Sequence, residues 1–425
     1  TKADRETKAS LLVAMVGHFA PEVWPGAAER AVSEVGRVGR AKSLAALRSL
    51  VAEAQEQGRA KGAEKALDAA EELVERADAA AEKGRNHEAI YLACEAQRLA
   101  ADAYVRTLPT RTSEMRGVWL ASPTGVSDWG WDKTVRHLKR MGFNALFVNM
   151  AWGGEVAYRS QYLPLSPLAR GVDQLALCLD ACKRYGVECH VWKVNLSLGR
   201  CAPTLFWKFT GQGRLQKDRN GKTVRWLCPA HPLNQELEWT ILDEVVRKYP
   251  VDGVHLDYIR YPRSDCCYCD RCRALFEKAV GVKFETWPQE LMDSPLNPQF
   301  RRWRRDRVTA LVKTIARHVR AARPGVELSA AVVPAAYPDA YLLGQDWPKW
   351  VEQGYLDFIC PMDYTTDLEH LSRQVRRQVM AIGGKIPVYV GLGSWMLQDV
   401  SDLADHISLA RKLGADGDVL FHYDD

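Results

Sequence analysis

The feature that most constrains this chain is an alternation of short β-rich runs with helical runs, which starts at Arg116 and continues to the C-terminus. This alternation is typical of β–α units that build a parallel sheet. Eight strands are predicted, at 116–120, 145–150, 188–194, 253–259, 327–333, 357–364, 387–393 and 417–423. Helices fit between them, for example at 132–141, 172–185, 234–248, 300–322 and 401–413. Eight such units predict an α/β fold, a closed (β/α)8 TIM barrel, with an open doubly wound sheet as the alternative.

The N-terminal quarter of the chain has a different pattern. The stretches 61–83 and 86–106 are rich in Ala, Glu, Leu and Arg, with apolar residues at helical spacing, and a short link between them predicts an antiparallel helical hairpin. An earlier helix is predicted over 27–58, and no strand signal is visible there. We therefore predict a helical region over 1–110 and a barrel over 114–425. The sequence ends two residues after the predicted eighth strand, so the usual last barrel helix is expected to be missing.

Composition and charge narrow the function classes. The 425 residues include 58 basic and 53 acidic side chains, a net charge of +5, and 47% of the residues are hydrophobic. This near balance gives no reason to expect a nucleic-acid partner. No apolar run approaches the roughly 20 residues that a membrane span needs. No signal peptide is visible, but the sequence opens with Thr1, so an export signal could have been removed. The oligomeric state cannot be predicted.

Two carboxylates stand inside otherwise apolar strand patterns. Asp257 lies in the fourth predicted strand, where period two places it on the same face as His255, and Asp363 follows an apolar run in the sixth. A buried carboxylate is costly unless it is paired or hydrogen-bonded, so each is either a structural group or a functional one. Glycosidic cleavage uses two carboxyl groups that flank the bond. We therefore expect Asp257 and Asp363 to converge in one cleft.

Aromatic and polar residues collect near the carboxyl ends of the predicted strands, where TIM barrels build their active sites. The chain has 14 Trp, and tryptophan rings can stack on the apolar faces of sugars, although core packing is an equal alternative for each ring. The expected substrate-binding residues are Trp119, Asn149, Trp152, Tyr158, His190, Trp192, Asn195, His255, Tyr258, Arg260, Tyr364, Trp395 and His422.

The strand-4 run Val251-Asp-Gly-Val-His-Leu-Asp257-Tyr-Ile-Arg260-Tyr-Pro262 resembles the motif of the bacterial glycosyl hydrolase-like family 10 proteins. The similarity covers most of 114–425 and includes Arg116-Gly-Val-Trp119, Gly154-Glu155-Val-Ala-Tyr158 and Phe358-Ile-Cys-Pro-Met-Asp363-Tyr364. The resemblance implies a TIM-barrel glycoside hydrolase. Members of the family are usually exported or envelope proteins that act on polysaccharide and, in some cases, on cell-wall glycan.

The resemblance also implies roles for individual residues. Asp257 matches the family's strand-4 acid, Glu155 stands where the family usually has Asp, and Asp363 and Tyr364 match its strand-6 polar pair. Chitinase-like barrels carry a glutamate where this chain has Ile259, which disfavours their substrate-assisted mechanism. Amylase-like barrels use the last Asp of a similar run as nucleophile. That comparison favours Asp257 as nucleophile and Asp363 as acid/base, with Glu155 as the rival.

A cysteine-rich segment follows the strand-4 motif. Cys266, Cys269 and Cys272 have metal-ligand spacing, and Cys228 or His231 could complete a site. The sequence leaves three alternatives open: a structural Zn²⁺, disulfides and free thiols. No cofactor is expected for catalysis, because the best candidate carboxylates lie elsewhere.

Two other function classes fit the same pattern. A non-catalytic glycan-binding barrel would keep the aromatic cleft without turnover. A different TIM-barrel enzyme could use Lys193 on strand 3 as a Schiff-base lysine, although an ion pair with a neighbouring carboxylate explains that residue equally well.

Overall fold

A computed structural model describes residues 2–397 and 399–423, and it contains a (β/α)8 barrel. The parallel barrel strands are β1 Met115–Leu120, β2 Ala145–Trp152, β3 Glu188–Val194, β4 Gly253–Asp257, β5 Glu327–Val332, β6 Phe358–Pro361, β7 Tyr389–Gly393 and β8 Gly417–Phe421. They pair in the order β6-β5-β4-β3-β2-β1-β8-β7. Two parallel bridges, Ile359 to Val388 and Met362 to Gly391, join β6 to β7 and close the ring. The predicted TIM barrel is therefore confirmed, and the open-sheet alternative is wrong.

The barrel interior is filled by large side chains from alternate strand positions. Trp119, Phe147, Trp192, Phe358 and Val419 pack together in one buried cluster. Their neighbours along each strand face outward and pack against the helices. The strands are thus buried on both faces, as parallel strands usually are, and this burial explains their nearly continuous apolar sequences.

The helices of the second part of the chain lie between these strands. They are α6 Gly130–Arg140, α7 Gln174–Tyr185, α8 Pro203–Gly211, α9 Pro232–Lys248, α10 Asp270–Val280, α11 Gln289–Asp293, α12 Asn297–Ala322, α13 Trp347–Glu352, α14 Leu368–Ile382 and α15 Val400–Lys412. Local sequence sets their ends. The Asp367 side chain accepts hydrogen bonds from the amides of Glu369 and His370 at the start of α14, and Gly383 ends it in the left-handed conformation.

The connection from β3 to α9 contains an extra hairpin that helps to position the candidate site. Its antiparallel strands are Leu215–Lys217 and Thr223–Leu227. A hydrogen bond from the Leu227 amide to the Leu196 carbonyl (2.8 Å) ties the hairpin to the end of β3.

The N-terminal region is helical, with α1 Lys2–Phe19, α2 Val23–Ser33, α3 Leu44–Glu56, α4 Ala63–Glu82 and α5 Asn86–Thr107. The predicted hairpin corresponds to α4 and α5, whose buried faces are mostly alanine, so the two helices pack closely. The single helix predicted over 27–58 is wrong. A two-stranded ribbon, Arg37–Val38 with Ala41–Lys42, interrupts it, and a side chain at Gly39 would collide with the Tyr104 ring.

The chain divides into two compact units. Among the described residues, one comprises 2–113 and 396–409, and the other comprises 114–395 and 410–423. Among the described helices, none has an apolar stretch long enough to cross a membrane.

Candidate active site

Asp257 is the last residue of β4 and lies at the carboxyl end of the barrel, where the sequence placed it. The Trp192 indole donates a hydrogen bond to Asp257 Oδ2 (3.1 Å), and the Tyr258 amide donates to Oδ1 (2.7 Å). The side chain is only 6% exposed. Strand β3 aligns this contact, because Val194 lies level with Asp257 and Trp192 with His255. The carboxylate is therefore held in one orientation at the barrel mouth.

The protonation of Asp257 is shifted by its surroundings. Burial raises the pKa of the Asp257 carboxyl to about 6, because desolvation disfavours the charged form. The Tyr258 amide, the Arg260 charge and the Trp192 indole oppose this rise by stabilising the carboxylate. A carboxyl group with a pKa near 6 is well suited to donate a proton near neutral pH.

An aromatic cluster surrounds this end of the barrel. The Tyr364 ring lies 5.0 Å from Trp395 and 5.5 Å from Phe421, measured between ring centroids, and Trp395 and Phe421 are 5.3 Å apart. Burial and the nearby charge of Asp257 raise the pKa of Tyr364. Trp395 is 53% exposed, so its ring is accessible to a ligand. Predicted residues from strands 6 and 7 thus gather beside Asp257, and the His422 ring packs 4.5 Å from Phe421.

Tyr258 and Arg260 form a second wall directly after β4. The Arg260 guanidinium lies over the Tyr258 ring at 4.9 Å, and the Trp226 ring stacks on Tyr258 with ring centroids 5.4 Å apart. Trp226 comes from the hairpin between β3 and α9, and its indole donates to the Arg260 carbonyl (3.2 Å). Both predicted residues are half-buried and lie next to Asp257.

Glu155 belongs to another group, at the carboxyl end of β2. It lies in a short hairpin in which it pairs with Trp152, and Ser166 Oγ donates a hydrogen bond to Glu155 Oε1 (2.7 Å). The Arg200 guanidinium covers the Trp152 ring at 4.5 Å. Asn149, Trp152, Glu155 and Arg200 line one small cavity. Asn149 lies level with Trp192 on β3, so this group adjoins the strand whose Trp192 donates a hydrogen bond to Asp257.

Asp363 does not join this site. Its side chain is fully buried, and it accepts a hydrogen bond from Gln378 Nε2 of α14 (2.9 Å). Burial raises the pKa of Asp363 to about 8. Alternation along β6 places Cys360 and Met362 with the interior cluster and directs Asp363 outward, toward the helix layer. The expectation that Asp257 and Asp363 form a solvent-open pair is therefore wrong.

Three predicted binding residues, Trp119, His190 and His255, lie inside the barrel, below its mouth. His190 is level with Gly253, the first residue of β4, and stacks on Phe147 at 4.7 Å, so it lies in the layer nearest the N-terminal ends. His255 is fully buried and accepts a hydrogen bond from the Trp119 indole (3.1 Å). These residues pack the barrel interior and have no route to a substrate, which corrects their predicted role.

Tyr158 and Asn195 are also corrected. Tyr158 is fully buried, with its ring 5.6 Å from that of Tyr249, so it belongs to the packing between barrel and helices. Asn195 donates its side-chain amide to Glu238 Oε2 of α9 (2.6 Å). Lys193 forms a buried ion pair with the same Glu238, and this pair agrees with the structural alternative given for the lysine.

The cysteine prediction is partly wrong. The sulfur atoms of Cys228, Cys267, Cys269 and Cys272 lie within 4.8 Å of one another, and all four residues are buried. Cys266 is not a member, although its spacing suggested one. Sequence spacing could not distinguish Cys266 from Cys267, since both neighbour the same turn.

The residues that sequence reasoning missed are Arg200, Trp226 and Phe421. Arg200 and Trp226 lie in the long connection between β3 and α9, where no strand end marks them. Phe421 carried a signal, because it lies on the same face as Val419 near the end of the predicted eighth strand.

Comparison with known proteins identifies the family of the barrel. A model of the family described as Glycosyl hydrolase-like 10 matches residues 114–394. This chain belongs to that family. The family resemblance drawn from the strand motifs is thereby confirmed, and the match spans β1 to β7 with both Asp257 and Glu155.

Two curated relatives carry glycosyl hydrolase names. Glycosyl hydrolase DigH, from Escherichia coli K12, is 24% identical over 318 residues, which are 61% of this chain and 67% of DigH. Glycosyl hydrolase YngK from Bacillus subtilis is 24% identical over 349 residues, and the match spans 60% of its length.

Solved structures with a similar fold are TIM-barrel glycoside hydrolases. The glycoside hydrolase domain of PgaB (BpsB) from Bordetella bronchiseptica has a TM-score of 0.55 at 15% identity, over 72% of this chain and 94% of that one. A β-amylase catalytic domain from Paenibacillus polymyxa has a TM-score of 0.54 at 13% identity, over 74% and 93%. An α-L-fucosidase from Paenibacillus thiaminolyticus scores 0.51 at 16% identity over 73% of this chain, which spans only 46% of the fucosidase. At these identities the likeness concerns the fold alone.

Proposed function

We propose that this protein is a glycoside hydrolase that cleaves a glycosidic bond in a poly- or oligosaccharide, with Asp257 as the proton donor. The observation that carries the proposal is the environment of Asp257. Its carboxyl is oriented by Trp192 and Tyr258 at the barrel mouth, and burial raises its pKa to about 6. A general acid for glycoside cleavage needs a raised pKa, so that it holds the proton that the leaving oxygen takes up.

Glu155 is our proposed second carboxylate. Glycoside cleavage needs a group that attacks the anomeric carbon or activates water, while the acid protonates the leaving oxygen. Glu155 supports this role because it lines a cavity at the end of β2 together with Asn149, whose strand neighbour is Trp192. Asp363 is not proposed, because its carboxyl is sealed against Gln378.

The aromatic surface supports a sugar substrate. Trp395 is exposed, and Tyr364 packs beside it. Tyr258 lies beside Asp257. Aromatic rings offer flat apolar faces with a polar edge, which suits the two-faced surface of a pyranose. Among glycans we propose cell-wall glycan as the first to test, since the family resemblance implies it, and we propose that the protein is exported.

The test is a panel of cell-wall and extracellular glycans incubated with the wild-type chain and with Glu155→Gln, followed by product analysis and direct binding measurements. We expect the wild type to release soluble products. We expect Glu155→Gln to bind the same glycan with turnover reduced by roughly 10²-fold or more. Sugar binding by the wild type without any turnover would replace the proposal with a non-catalytic glycan-binding barrel. Full activity of Glu155→Gln would remove that residue from the mechanism.

A further inference from the structure

Four cysteines from two separate segments meet beside the loop that follows β4. Cys267, Cys269 and Cys272 lie at the end of that loop and at the start of α10, whereas Cys228 lies just after the extra hairpin of the β3–α9 connection. The Cys228 sulfur is 3.5 Å from that of Cys272 and 3.7 Å from that of Cys269. All four side chains are buried, and each is a free cysteine.

These separations fit a tetrahedral metal site. A Zn²⁺–sulfur bond of about 2.3 Å in tetrahedral geometry places the ligand sulfurs about 3.8 Å apart. A disulfide would bring two sulfurs to about 2.05 Å. The observed 3.5 and 3.7 Å lie at the first distance and far from the second. The spacing Cys-x-Cys-x2-Cys with one distant cysteine also resembles a four-cysteine zinc ligand set.

The local backbone favours thiolate ligands. Cys269 is the N-cap residue of α10, and Cys272 lies in the first turn of that helix. The N-terminus of a helix carries partial positive charge, which stabilises nearby thiolates. Zinc binds the thiolate form, so this placement assists binding.

We propose that Cys228, Cys267, Cys269 and Cys272 bind one structural Zn²⁺ ion. Four protein sulfurs complete a tetrahedron and leave no position for water or substrate, which is the arrangement of structural and not catalytic zinc. A second group of three, Cys178, Cys182 and Cys189, offers only three ligands among the described residues and carries no such proposal.

The site would join two segments that form the wall beside Asp257. Cys228 ends the hairpin that carries Trp226, and the other three cysteines end the loop that carries Tyr258 and Arg260. Trp226 already stacks on Tyr258, and the Tyr268 amide donates to the Lys217 carbonyl (2.8 Å) between the same segments. The metal would therefore lock the hairpin to the loop. This inference stands whether or not the chain hydrolyses glycans.

The experiment measures metal content directly. The full chain, purified under reducing conditions without added metal, is expected to contain close to one zinc ion per molecule by elemental mass spectrometry. Cys267→Ser is expected to lose most of this zinc. Cys266→Ser is the matched control, since it changes the adjacent cysteine outside the cluster, and Cys182→Ser samples the other cysteine group; both should keep the zinc.

A second measurement covers the case in which Cys267→Ser fails to fold. The wild type is stripped with a chelator, reloaded with Co²⁺ and examined for the visible absorption of tetrahedral cobalt–thiolate coordination. Removal of the metal should also lower the melting temperature by roughly 5 °C or more. The proposal is overturned if the reduced wild type binds neither Zn²⁺ nor Co²⁺. It is equally overturned if Cys266→Ser loses zinc as fully as Cys267→Ser, or if thiol titration of the denatured, chelated protein finds these cysteines in disulfides.

Discussion

At the residue scale, the Asp257 carboxyl group is both desolvated and held in one orientation. Asp257 is nearly buried, and it keeps two hydrogen-bond donors, the Trp192 indole and the Tyr258 amide. Burial raises its pKa and the two donors lower it, and the balance leaves the pKa at about 6. Asp363 has a single donor, Gln378, and burial brings its pKa to about 8. The two residues therefore differ in their access to the barrel mouth and in the pKa of the carboxyl group.

The pH dependence of hydrolysis follows from the Asp257 pKa. The proton donor is active when it is protonated, so we expect kcat/KM to fall as pH rises through about 6. The measurement is a pH profile with the best glycan of the panel. A profile that rises through pH 6 and stays high to pH 8 would contradict the role of proton donor.

The same pKa makes a prediction for stability. Between about pH 4 and pH 6 the folded chain keeps a proton on Asp257, whereas the unfolded chain releases it. The free energy of unfolding therefore falls as pH rises through that interval. We expect Asp257→Asn to remove that fall. Thermal melts at pH 4 and pH 7.5 should show the variant gaining relative to the wild type at the higher pH, and a relative loss there would contradict the assignment.

The Trp192 indole is a positioning group for Asp257, and its removal should be visible in the pH profile. Trp192→Phe keeps a large ring in the barrel but removes the N–H that lowers the Asp257 pKa. We expect the alkaline limb of the profile to move to higher pH, by up to about one unit. Trp395→Phe is the control, because Trp395 packs edge-on against Tyr364 and not against Asp257, and the alkaline limb of its profile should stay in place.

At the element scale, strand β3 is fixed to helix α9 by a buried polar group. Lys193 pairs with Glu238, which also accepts from Asn195 Nδ2 (2.6 Å) and from the Leu196 amide (3.0 Å). This arrangement holds the end of β3, and with it the ring of Trp192. The side chains at the end of β3 therefore point in two directions. Trp192 faces the barrel interior and the site, whereas Lys193 and, one residue after the strand, Asn195 face the helix.

Loss of Glu238 should be strongly destabilising. Glu238→Ala leaves the Lys193 ammonium buried without a partner, which costs roughly 3–5 kcal/mol of unfolding free energy. Asp243→Ala is a matched control on the same helix, because Asp243 pairs with an exposed arginine, Arg247, and should cost less than about 1 kcal/mol. Denaturant unfolding of both variants measures the difference. Equal effects would contradict the role given to the buried pair.

At the scale of the whole molecule, the sequence predicted all eight barrel strands, because helical and strand periods alternate clearly from β1 onward. It could not predict which face of β6 holds Asp363. Both faces of that strand are apolar, so hydrophobic alternation carries no information on orientation there. It named Cys228 and His231 as alternatives to complete the cysteine site, and Cys228 is the one that lies there, but spacing alone could not distinguish Cys267 from Cys266. The position of Asp257 at the carboxyl end of its strand was predictable, because a carboxylate within an apolar strand pattern is costly unless it is paired or hydrogen-bonded.

The most direct test of the central claim compares Asp257→Asn with Asp363→Asn in hydrolysis of one glycan substrate. Both changes keep the side-chain shape and remove a carboxyl group, so each variant is the control for the other. We expect Asp257→Asn to lower kcat/KM by roughly 10²–10⁴-fold without any loss of melting temperature, and Asp363→Asn to stay within about threefold of the wild type. Near wild-type turnover by Asp257→Asn, or a loss of activity confined to Asp363→Asn, would contradict the account.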